Sequence, residues 1–118
     1  MDENAYKRVL NGLLEQRCIP HLSVAHPEVR GVPDIVFWRY GRSVAIELKK
    51  GEQAKITALQ IDTLQNMANE GVFAFVLTLL DGFKRTLLVR FNKGGKFTQI
   101  EILDFKKDFP DNVLNTTI

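Results

Sequence analysis

The chain has 118 residues, 45% of them hydrophobic and 25% charged, with a net charge of +2. That length supports one compact domain over residues 1–118 with a real core, and the charge is too small to mark a nucleic-acid surface by itself. No apolar run approaches the roughly 18 residues of a membrane span, and the start, "MDENAYKRVL", is acidic and amphipathic where a secretory signal is basic and then apolar, so a cytoplasmic protein is expected.

The elements follow in chain order. Asp2 is a candidate N-cap, and Tyr6, Val9, Leu10, Leu13 and Leu14 recur at helical spacing, which predicts an amphipathic helix from about Glu3 to Gln16. Cys18, the one cysteine, has no disulfide partner and is expected to be a small core or boundary residue. "CIPHLSV" reads as a short extended segment. "AHPEVRGVP", punctuated by Pro27, Gly31 and Pro33, reads as a loop, and His21 and His26 are taken as boundary or loop residues. Two strands follow, "DIVFWRY" and "RSVAIELKK", joined by a tight turn at Gly41.

Thr57 with Gln60 three residues later makes a capping-box signature, Ile56 can staple against Ile61, and Gly71 supplies the stop of this second helix. "VFAFVLTLL" is apolar enough for a strand buried on both faces. Coming after a helix, it can lie parallel to the strand before it. Asp81-Gly82 and "NKGG" then turn the chain through "FKRTLLVRF" and "KFTQIEIL". The tail from Lys106 carries no strong pattern. Helix, hairpin, helix and strands in this order imply an α/β fold with a mixed sheet flanked by helices.

Charge is concentrated around the hairpin. Arg30, Arg39, Arg42, Lys49, Lys50 and Lys55 lie in or beside it, with Asp34, Glu47 and Glu52 against them. Centring the hairpin on Gly41 sets Asp34 opposite Leu48, with Glu47 and Lys49 on either side. Side chains alternate along a strand, so Val44, Ile46 and Leu48 take the core face, while Ala45, Glu47 and Lys49 share the other with Asp34 beside them. Two carboxylates and the Leu48 carbonyl form a hard, oxygen-rich set suited to Mg²⁺ or Mn²⁺, and a lysine beside such an ion can orient a water or stabilise charge on a phosphate. The same residue types would also make a cross-strand ion pair on a solvent-facing sheet, and hairpin geometry alone leaves both readings open.

"GVPD", then "ELK" after a hairpin, then "T..Q" and a helix ending in glycine resembles the PD-(D/E)xK nuclease superfamily, nearest to its VRR-NUC type and similar in layout to Holliday-junction resolvases. The resemblance spans roughly residues 3–77. It implies a restriction-endonuclease-like fold, Asp34, Glu47 and the Leu48 carbonyl as metal ligands, and Lys49 as the catalytic lysine. It also sets Gln60 near the site as a further catalytic residue, beside its role in the helix cap. A glutamate on the first helix belongs to the pattern, and Glu3 is the candidate ligand; resolvase relatives often carry that acid a turn later, where this chain has Lys7. Arg30, Lys50 and Lys55 are candidate contacts to the DNA backbone, with an ordinary loop arginine as the other reading of Arg30. The activity implied is a Mg²⁺- or Mn²⁺-dependent, structure-selective DNA endonuclease, a homodimer acting on four-way junctions. The alternatives are a monomeric nicking or flap endonuclease, and a DNA-binding module that keeps the fold without cutting.

Overall fold

One six-stranded sheet organises the chain, and the structure, a computed structural model, describes residues 1–24 and 31–116. Helix α1 (Glu3–Gln16) leads to β1 (His21–Ser23), β2 (Ile35–Arg39) and β3 (Arg42–Lys50). Helix α2 (Ala58–Asn69) precedes β4 (Phe73–Asp81), β5 (Arg85–Phe91) and β6 (Phe97–Leu103), and two short helices, α3 (Phe105–Asp108) and α4 (Asp111–Leu114), close the described chain. The strands lie side by side in sequence order. All neighbours are antiparallel except β3 and β4, the parallel pair that α2 connects.

Local sequence explains the helix ends. Asp2 accepts the Ala5 N–H at 2.8 Å and starts α1. At α2 the predicted capping box is complete: Gln60 N–H donates to Thr57 Oγ1 at 3.1 Å, and Thr57 N–H donates to Gln60 Oε1 at 2.9 Å. Glu70 caps the other end and Gly71 follows it. Among the described residues, no helix is long and apolar enough to cross a membrane.

Both faces of the sheet are covered, because alternate residues of β2 to β5 point to opposite sides. On one face Phe37, Val44, Ile46, Leu48, Phe75, Leu77 and Leu88 pack with Leu10 and Leu14 of α1. The tail joins them through Phe105, Phe109, Val113 and Leu114. The tail looked patternless in sequence because four-residue helices are too short to show a period. It is also held by Arg42, which donates to the Leu114 carbonyl at 3.3 Å, and by Arg90, which donates to the Thr116 carbonyl at 2.7 Å. On the other face Ala45, Ala74, Val76 and Phe91 pack with Leu64 and Ala68 of α2.

Two expectations need correction. Cys18 is exposed, with φ 53°, just past the end of α1. The hairpin is also one residue out of the expected register: Ile35 pairs with Ile46 and Arg39 with Arg42, so the loop is Tyr40-Gly41. Both loop residues have positive φ, 53° and 71°, the geometry of a tight two-residue turn whose twist suits the strands. Continuing that ladder by one residue sets Asp34 opposite Glu47, and Pro33, not Asp34, opposite Leu48.

Candidate active site

The two carboxylates therefore share a face and adjoin at the end of the β2–β3 ladder. Asp34 stands one residue before β2 and is nearly buried; Glu47, within β3, is 3% exposed. Lys49 follows on the same face, with its Nζ 3.6 Å from Glu47 Oε1. This face does not project into solvent as the hairpin reading supposed. The start of α2 covers it, which turns a surface carboxylate into a buried one.

Backbone chemistry shapes the gap between the two acids. Asp34 Oδ2 accepts the Leu48 N–H at 2.8 Å. In a strand the N–H and C=O of one residue point to the same side, so the Leu48 carbonyl also faces the end of β2. Pro33, the residue opposite, has no N–H to offer it. The approach to Asp34 is fixed from the other direction by Gly31, at φ 78°, where an added Cβ would meet Leu59 Cγ at 2.5 Å. The loop into the site thus rests directly on the first turn of α2.

Gln60 reaches in from that turn. Its Nε2 donates to Glu47 Oε1 at 3.0 Å while its Oε1 keeps the helix cap, so one side chain makes the cap and a contact to Glu47 together. Glu47 Oε2 is buried with no hydrogen-bond partner. Burial pushes the Glu47 carboxyl up to about 8 and the neighbouring Asp34 charge adds to the rise, while Lys49 and Lys7 act against it.

Lys7 is the residue whose place at the site was missed. Its Nζ lies 2.8 Å from Asp34 Oδ1, reaching the acid from α1. Burial works against its ammonium, but the hydrogen bond and charge of Asp34, with smaller help from Glu3 and Glu47, hold its pKa above the usual lysine value. One signal was present in the sequence. Lys7 lies three and seven residues before Leu10 and Leu14, the fully buried leucines of α1, so it had to point inward.

The other candidates lie apart. Glu3, in the first turn of α1, adds its charge to the surroundings of Lys7. Among the described residues no three acidic, histidine or cysteine side chains gather to hold a metal, so Glu3 does not join Asp34 and Glu47 in a ligand cluster. Its position at the helix start leaves Lys7, one turn further on, as the α1 residue that reaches Asp34. Lys50 ends β3 and Lys55 lies between β3 and α2, and both are exposed. Arg30 and His26 lie outside the described residues. Lys49 also lines a groove of about 390 Å³ with Ile56, Ile61, Val89, Phe91 and Phe97.

The donor set suits a hard divalent cation. A buried carboxylate oxygen without a partner, a second carboxylate beside it and a carbonyl deprived of its ladder donor are all oxygen ligands. No protein-family model matches the sequence, and no curated protein matches it. Among solved structures the chain is similar to Hjc, a Holliday junction resolvase from the archaeal hyperthermophile Archaeoglobus fulgidus, with a TM-score of 0.56 and 22% sequence identity. The similarity covers 87% of this chain and 89% of that one, so the mixed sheet with its flanking helices is a restriction-endonuclease-like α/β fold.

Proposed function

We propose that this protein is a metal-dependent endonuclease of the PD-(D/E)xK type, close to the VRR-NUC group, that hydrolyses phosphodiester bonds in branched DNA. The observation that carries the reading is the closeness of Asp34 to Glu47 just beyond the open end of the β2–β3 ladder, with Glu47 Oε2 buried and unpartnered and Lys49 next on the same face. Asp34, Glu47 and the Leu48 carbonyl would hold Mg²⁺ or Mn²⁺, which when bound supplies Lewis acidity and an activated water. Lys49 orients that water toward phosphorus and stabilises the charge that builds on the phosphate oxygens. Gln60 fixes the Glu47 carboxylate so that its second oxygen stays directed at the ligand position. Arg30, Lys50 and Lys55 hold the DNA backbone.

We take selection to be by DNA shape rather than by base sequence. A four-way junction is the favoured substrate, cut in the cytoplasm by a homodimer whose two-fold symmetry matches paired cuts on opposite strands. The fold shared with a Holliday junction resolvase supports this choice.

The test is cleavage of a labelled four-way junction beside linear duplex and flap DNA, with Mg²⁺, Mn²⁺ or EDTA, using wild type and Lys49→Ala. Metal-dependent, symmetric nicks in the junction, lost in the variant, are expected. Cleavage of the flap alone would move the assignment to a flap endonuclease. Folded wild type that cuts nothing would leave a DNA-binding module.

A further inference from the structure

Nearly every charged oxygen at the site is already spoken for. Asp34 gives Oδ1 to Lys7 at 2.8 Å and Oδ2 to the Leu48 N–H at 2.8 Å. Glu47 gives Oε1 to Gln60 at 3.0 Å and to Lys49 at 3.6 Å, and keeps only Oε2 without a partner. Two ammonium groups therefore face two carboxylates, and the formal charges cancel when both acids are ionised. One divalent ion held by Asp34 Oδ2, which keeps a lone pair beyond the one the Leu48 N–H uses, with Glu47 Oε2 and the Leu48 carbonyl, would bring the group to +2, which the phosphates of a bound strand can balance. A second ion would have to take Asp34 Oδ1 from Lys7, and among the described residues no third acid stands by to hold it.

Lys7 is poorly placed to move aside. It projects from a helix anchored by the fully buried Leu10 and Leu14, and its own side chain is three-quarters covered. Its departure would leave Asp34, nearly buried, without its counter-charge, which is costly in a low-dielectric setting.

We infer that Lys7 is a built-in cation that occupies the place of a second metal ion on Asp34, so that the site takes a single divalent ion. The inference rests on the nuclease reading above and adds the metal count and a positioning residue to it. Lys7 holds the Asp34 carboxylate in place from the α1 side, as Gln60 holds Glu47 from α2.

The experiment counts Mn²⁺ bound to the metal-free protein without DNA, by calorimetric titration and by electron paramagnetic resonance of free Mn²⁺, for wild type, Lys7→Met and Lys7→Glu. Wild type is expected to bind one ion per chain. Lys7→Met, freed of a like charge beside the ion, is expected to bind it about tenfold more tightly or better. Lys7→Glu, which adds a third carboxylate, is expected to bind a second ion. Two ions on wild type would overturn the inference and leave the nuclease reading standing, and this count does not depend on either variant folding. Variants that melt at lower temperature yet match wild type in ion count and affinity would also overturn it, by reducing Lys7 to a structural bridge. Folded wild type that binds no Mn²⁺ would overturn both.

Discussion

The two faces of the sheet are built on different terms. Against α1 and the tail the core is large and mostly apolar, with Phe83, Phe105, Phe109 and Phe37 in successive ring contacts at centroid distances of 5.1 to 5.7 Å. Against α2 the cluster is small and contains Ala45, Ala68 and Ala74, whose size lets the helix approach the sheet. That second face carries Glu47, Lys49 and Gln60. A buried carboxyl oxygen with no partner destabilises the fold, and the apolar face supplies the compensating burial. The larger apolar core and the candidate site thus fall on different sides, and they meet at Asp34, reached by Lys7 from one and adjoining Glu47 on the other.

The sharpest test of this division is Lys49→Ala. It should lower junction cleavage by at least about a hundredfold, as expected for loss of a group acting on the reacting water or phosphate, while junction binding and far-UV circular dichroism stay as in wild type. A variant that unfolds would show that the chemical face also bears the load. Next come paired core truncations followed by urea denaturation. Leu10→Ala should cost about 2–5 kcal/mol, and Leu64→Ala should fall at the low end of that range because fewer large side chains surround it. Equal costs would erase the contrast.

A pH series on metal-free protein sharpens it further. The Glu47 carboxyl is raised in the folded state, from 4.5 to about 8, so the folded form holds its proton where the unfolded form has lost it. This contribution is fully present below about 4.5 and is lost as pH rises toward 8, so melting temperature in EDTA should fall across that window. Glu47→Gln should flatten this part of the slope. The smallest expected change is Thr57→Ala, about 1 kcal/mol from loss of the helix cap, measured by thermal denaturation.

Sequence reasoning reached the elements with strong local signals. The caps at Asp2 and Thr57, the apolar run of β4 and the alternation in β3 each announce themselves within a few residues. It also drew Asp34, Glu47, Lys49 and Gln60 toward one place. The register was missed because Gly41 looked like the centre of the turn, whereas Tyr40 joins it at positive φ and shifts the ladder by one. Burial of Glu47 was missed for a different reason: alternation tells which face a residue takes, but not that α2 returns to cover it. Helical spacing told that Lys7 points inward, but its partner depends on a contact between α1 and the residue before β2, which no local pattern encodes.

Gln60 ties a helix end to an acid. One planar amide holds Thr57 N–H with its oxygen and Glu47 with its nitrogen, across 13 residues of sequence, so neither contact can shift without rotating the other. The first turn of α2 is therefore a gauge of the acid it touches. Whatever draws Glu47 away from Gln60 frays that turn, and whatever fixes Glu47 tightens it. Hydrogen exchange at the Thr57 amide would then report occupancy of the site from outside it, without a label on DNA or on metal.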